Sequence, residues 1–105
     1  MEDKKLNIFG EEYKMTFNCD EEDTDGIIYF YQKLIRIKAK DDLLIDSDYE
    51  QDKAERQKEV IRHELFHAIM FEIGEDELSR DEKFIQKMAM LSPKIFKILN
   101  EANAL

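Results

Sequence analysis

The chain has 105 residues, the length of one domain, and carries 25 acidic against 16 basic side chains for a formal charge of -9. That balance repels phosphate backbones and argues against a nucleic-acid partner. No apolar run approaches the roughly 20 residues of a membrane span, so no membrane partner is expected. The opening MEDKKLNIFG lacks the unbroken apolar stretch of a signal peptide, and the single cysteine, Cys19, has no partner for an intramolecular disulfide. Both features predict a cytoplasmic protein. A hydrophobic content of 43 %, with seven Phe and four Tyr, is enough for an ordered core. The expectation is one domain over residues 1–105.

Leu6 to Phe9, Gly10, and Tyr13 to Phe17 read as a short hairpin closed by a glycine-bearing turn. The acidic run Asp20 to Asp25 reads as a solvated loop that borders a substrate cleft. Ile27 to Tyr31 and Leu34 to Ala39 follow as β-rich runs, and in the second Ile35 and Ile37 alternate with Leu34, Arg36 and Lys38 as in a half-buried strand. Three or four antiparallel strands are therefore expected in the first half.

Ser47-Asp48-Tyr49-Glu50 has capping-box spacing and predicts a helix from there through Ile73, stopped by Gly74. Its first half, Glu50 to Glu59, is charged and should project into solvent, whereas Val60 to Ile73 is mostly apolar and should be buried. Phe66, Met70 and Phe71 are expected in the core. Ser79-Arg80-Asp81-Glu82 is a second capping box, ahead of the stripe Phe84, Ile85, Met88 and Leu91. Ser92-Pro93 should end that helix and open a third, with Ile95, Phe96, Ile98 and Leu99 on its buried face. The predicted class is α+β: a small antiparallel N-terminal sheet followed by three helices.

Both histidines lie in one pentapeptide, His63-Glu64-Leu65-Phe66-His67. Positions i and i+4 of a helix stand about 40° apart, so the two imidazoles project side by side and can share a Zn²⁺. Glu64, about 100° round from His63, is misplaced for ligation but near enough to take a proton from water activated by the metal. A catalytic zinc site usually has three protein ligands, and no third histidine exists. Glu82 is the preferred third ligand, because it opens the helix that carries the small Ala89. Its competing role is the capping box with Ser79. Asp81 and then Glu77 are the alternatives; Glu72 should point elsewhere, and Cys19 is a remote option.

The run His63-Glu64-Leu65-Phe66-His67-Ala68, with Glu72, Gly74 and then Asp81-Glu82-Lys83-Phe84-Ile85, resembles small zincin-type metallopeptidases. The resemblance is to the compact phage and prophage members, distantly akin to the ImmA/IrrE-like peptidases. It implies a sheet ahead of the motif helix, zinc on His63 and His67, Glu64 as general base, and Glu82 as third ligand in the gluzincin arrangement. It also implies a peptide or protein substrate and a role in mobile-element biology such as cleaving a repressor. The chain is too short for a second domain to wall the cleft, which points to a narrow substrate range. Leu34 to Ala39 is a candidate strand for aligning an extended peptide by edge pairing, and Tyr29, Tyr31 and Tyr49 are candidates for stabilising an oxyanion. The competing expectation is a non-enzymatic protein, stapled by zinc, that binds a host or repressor partner.

Overall fold

A computed structural model describes residues 2–105. Four strands, β1 (Lys4–Ile8), β2 (Glu11–Thr16), β3 (Gly26–Tyr29) and β4 (Leu34–Ile37), precede a 3-10 turn at Lys40–Asp42 and three helices, α1 (Glu50–Glu72), α2 (Asp76–Ser79) and α3 (Glu82–Glu101). The class is α+β. The β1–β2 hairpin turns on Phe9 and Gly10, both at positive φ (51° and 90°), as a two-residue turn matched to strand twist requires.

The sheet is mixed rather than antiparallel, with strand order β1-β2-β4-β3. After β2 the acidic loop carries the chain to the outer edge, where β3 runs antiparallel to β4. The return strand β4 then inserts beside β2 and runs parallel to it, Met15 opposite Ile35. β4 is consequently paired on both sides, and the strand with a free edge on the site's side is β3. This corrects the expectation that Leu34 to Ala39 could align a substrate.

One face of the sheet carries Ile8, Tyr13, Met15, Ile35 and Ile37, and it packs on Val60 and Ala68 of α1 with Leu65 and Ile69 beside them. Tyr13/Met15 and Ile35/Ile37 show the period of two that puts alternate side chains on one face. From Val60 to Glu72 the apolar half of α1 is buried or half-buried throughout, as its composition predicts, but Ile73, expected to be buried with it, is exposed just beyond the helix end. Phe66, Met70 and Phe71 are only half-buried and lie outside that core, because the helix offers its other side to the sheet. Phe71 instead stacks on Phe30 at 4.8 Å between ring centroids.

Three further expectations change at the helix ends. Ser47 is not a cap: its hydroxyl donates to Asp52 and accepts from the Tyr49 N–H, so it shapes the turn and α1 starts at Glu50 behind Tyr49. Ser79 is not a cap either. It ends α2, its hydroxyl donates to the Asp76 carbonyl, and Asp81 caps α3 by accepting from the Phe84 N–H at 3.1 Å. Finally, α3 runs unbroken through Pro93. A proline inside a helix deprives the carbonyl four residues back of its donor. Here that carbonyl belongs to Ala89, and Arg62 of α1 supplies the missing donor through Nε at 2.6 Å. The third helix is thus the single turn α2, and the segment beyond Pro93 protrudes with Ile95, Phe96 and Ile98 exposed rather than buried. Among the described residues no helix is long and apolar enough to cross a membrane.

Candidate metal centre

α1 sets the first two donors. His63 and His67 lie one turn apart on it, with ring centroids 5.0 Å apart. The helix ends in a Schellman turn: Gly74 sits at φ 85°, its N–H bonds the Phe71 carbonyl and the Glu75 N–H bonds the Met70 carbonyl. That reversal sends α2 back across the face of α1, and Glu82, first residue of α3, arrives over the two imidazoles. Its carboxylate oxygens stand 2.9 Å from His63 Nε2 and 2.9 Å from His67 Nε2. One donor atom from each residue lies within 4.8 Å of the other two.

The far sides of both rings are already committed. His67 Nδ1 faces the Ser79 carbonyl, which can only accept, so Nδ1 carries the proton. His63 Nδ1 is 2.7 Å from Gln86 Oε1, also an acceptor. In each neutral ring Nε2 is then a bare lone pair, yet it faces an acceptor-only carboxylate oxygen. Acceptor against acceptor at that distance requires a cation between them, either protons on the rings or a shared metal. Two imidazole nitrogens and a carboxylate are a donor set that divalent cations of the zinc type take.

Glu64 is 6 % exposed and lies beside this cluster under β3. Burial pushes its pKa up to about 7; the negative Glu82 adds to the rise and His63 opposes it. Gly26, which opens β3, makes that seat possible. A Cβ there would stand 2.8 Å from Val60 Cγ1 and 3.1 Å from Glu64 Cγ. Around the cluster runs a cleft lined by Thr24, Gly26, Ile27, Ile28 and Phe30 on the sheet side and by Ser79, Arg80 and Glu82 on the other. The Phe30 ring stands edge-on to His67, with centroids 6.1 Å apart.

The alternative ligands are elsewhere. Asp81 is the α3 cap, Glu77 is exposed on α2, and Cys19 is buried at the far end of β4, its N–H on the Ile37 carbonyl. Glu72 turns away as expected, accepting from the Tyr13 hydroxyl at 2.6 Å and from Lys33 Nζ at 2.9 Å. Tyr29 and Tyr31 line a separate cleft with Phe30 and Gln32, and Tyr49 is exposed ahead of α1, so none of the three tyrosines faces the cluster.

Searched against known protein families, curated proteins and solved structures, the chain matches none.

Four participants escaped the sequence reading. Gln86 could have been found, since it stands one helical turn beyond Glu82 and so shares its face. The Ser79 carbonyl could not, because a backbone acceptor leaves no mark in composition. Asp25, read as part of a solvated loop, is buried and accepts from Arg56 Nε at 3.1 Å and Nη2 at 3.0 Å and from the Leu44 N–H at 2.7 Å. Arg80, exposed between Ser79 and the α3 cap Asp81, lines the cleft.

Proposed function

We propose that the protein is a zinc-dependent, zincin-like hydrolase that cleaves a peptide bond, with His63, His67 and Glu82 as metal ligands and Glu64 as general base. The observation that carries this reading is the commitment of both Nδ1 atoms to acceptors while both Nε2 atoms converge on one carboxylate. Bound there, zinc supplies a Lewis acid that polarises a carbonyl and acidifies water.

The remaining work falls to the chain's own side chains. Gln86 and the Ser79 carbonyl orient the rings. Glu64, with its pKa near neutrality, takes a proton on a carboxylate oxygen from the attacking water and returns it to the departing amine. The free edge of β3 offers backbone N–H and C=O groups to an extended substrate segment, and Ile28 and Phe30 give the cleft an apolar wall. The described residues leave the cleft open on its far side, which suits a narrow range of substrates or a partner that completes the wall. A phage or prophage setting, with a repressor as substrate, is in keeping with the family resemblance.

The test is metal analysis of the untagged protein beside its variants. About one zinc per chain is expected, lost in His67→Ala and in Glu82→Ala. Glu64→Gln should keep the zinc and lose turnover of a peptide library. A wild type that stays empty after equilibration with zinc overturns the metal assignment, and wild-type turnover in Glu64→Gln overturns the base.

One observation favours a second reading, a zinc-stapled protein that acts by binding a host or repressor partner. Phe96 and Ile98 are 58 % and 64 % exposed on the protruding half of α3, an apolar surface that catalysis does not use. Zinc-loaded protein that cleaves no member of a broad peptide library would turn the choice toward it.

A further inference from the structure

His63 stands at the end of a chain of hydrogen bonds that links α1, α3 and the loops holding Asp25 and Leu44. Its Nδ1 faces Gln86 Oε1 at 2.7 Å, and Gln86 Nε2 donates to Glu59 Oε1 at 2.6 Å. Arg56 Nη1 donates to the same Glu59 oxygen at 3.3 Å, and the other edge of its guanidinium holds Asp25, which is anchored on the Leu44 N–H. Glu59 and His63 are one turn apart on α1, with Gln86 reaching across from α3.

The direction of this chain is dictated by donor chemistry. A glutamine amide has a donor end and an acceptor end that nearly superimpose, so by itself it can present either one to an imidazole. A carboxylate only accepts. Glu59 therefore draws the Gln86 nitrogen toward itself and turns the oxygen toward His63, and only a protonated Nδ1 can satisfy that oxygen. We propose that Glu59, steadied by Arg56 and Asp25, is a positioning residue that sets the tautomer of His63 through Gln86. The proton is held on Nδ1, and Nε2 is kept for the cation it shares with Glu82. His67 needs no such relay, because the Ser79 carbonyl can only accept.

The inference deepens the zinc reading and rests on it for its purpose, but its test does not need the metal. In chelator-stripped, ¹⁵N-labelled protein, with wild type and variants compared at one pH, long-range ¹H–¹⁵N correlations report which ring nitrogens carry a proton. Wild-type protein should show Nδ1–H at both histidines. In Glu59→Ala the Gln86 amide is free to reverse and donate to the ring, so His63 should lose its Nδ1 proton while His67 keeps Nδ1–H as an internal control. Adding Gln86→Glu to that background restores an acceptor-only partner and should return His63 to Nδ1–H. Loss of an outer partner of this kind typically weakens zinc binding 10- to 100-fold, and the same loss and recovery are expected on zinc titration. An unchanged His63 tautomer in Glu59→Ala, or a shift that the second substitution fails to reverse, overturns the proposal. A correct tautomer pattern in protein that never takes up zinc would overturn the metal reading alone.

Discussion

Gly26→Ala tests the packing that seats the candidate base. The new Cβ would fall 2.8 Å from Val60 Cγ1, closer than nonbonded carbons approach, and 3.1 Å from Glu64 Cγ. Val60 cannot retreat: it is buried, and a β-branched side chain in a helix has one strongly preferred rotamer. Either β3 lifts off α1 or Glu64 swings aside. Overpacking of this kind costs about 1–3 kcal/mol, which lowers the melting temperature by about 5–20 °C for a domain of this size. Thermal melts followed by circular dichroism would measure it. Because no metal donor is touched, zinc affinity should stay at the wild-type value while turnover falls with the displacement of Glu64. Val60→Ala removes the obstructing methyls, so Gly26→Ala should cost clearly less in that background. Gly10→Ala is the matching control. It meets no atom within 4 Å, and its cost comes from the positive φ alone, so it should lower stability and leave turnover untouched. A Gly26→Ala protein that melts and turns over like wild type would refute the close approach of β3 to Glu64.

Arg62→Met keeps the aliphatic stem but orphans the Ala89 carbonyl, and should cost about 1–3 kcal/mol. With Pro93→Ala the helix regains its own donor, so the two substitutions should be strongly non-additive in urea melts; simple additivity would contradict the role given to Arg62. Tyr13→Phe removes a donor to Glu72 and should cost about 1.5–3 kcal/mol at neutral pH. Burial favours the protonated Glu72, but Tyr13 and Lys33 outweigh it and hold its pKa below the ordinary carboxylate value. A depressed folded pKa gives stability that is present above the unfolded pKa of about 4.3 and is lost as pH falls through the folded value. The Tyr13→Phe penalty should therefore shrink in melts below about pH 4, and a penalty constant with pH would count against an ionised Glu72 as the acceptor. Phe96→Ser and Ile98→Ser, on the protruding end of α3, should change stability by less than about 0.5 kcal/mol, whereas Ile85→Ala in the α1–α3 contact should cost about 2–5 kcal/mol. Equal losses at the two ends would mean that the helix end is covered in solution.

Local pattern alone determined a good deal here. The α+β order, the hairpin at Gly10, the reach of α1 to Gly74 and the burial of Ile35 and Ile37 all follow from period, turn chemistry and composition within a few residues of each element. The side-by-side projection of His63 and His67 is equally local, since it needs only the pitch of one helix. Tertiary contacts decided the rest. Whether β4 paired parallel or antiparallel depended on where the loop after β2 delivered β3. Whether Pro93 broke its helix depended on Arg62, 31 positions earlier, which satisfies the carbonyl that a proline leaves bare. Ser79 and Glu82 have the spacing of a cap, yet the turn made by α2 gave capping to Asp81 and left the Glu82 carboxylate to meet the histidines. Asp25 was hidden for the same reason: in sequence it closes an acidic loop, and only the approach of Arg56 and Leu44 makes burying its charge tolerable. Periodicity records what one segment does with its own faces. The partner that satisfies a buried donor or acceptor comes from another segment, and only the assembled fold chooses it.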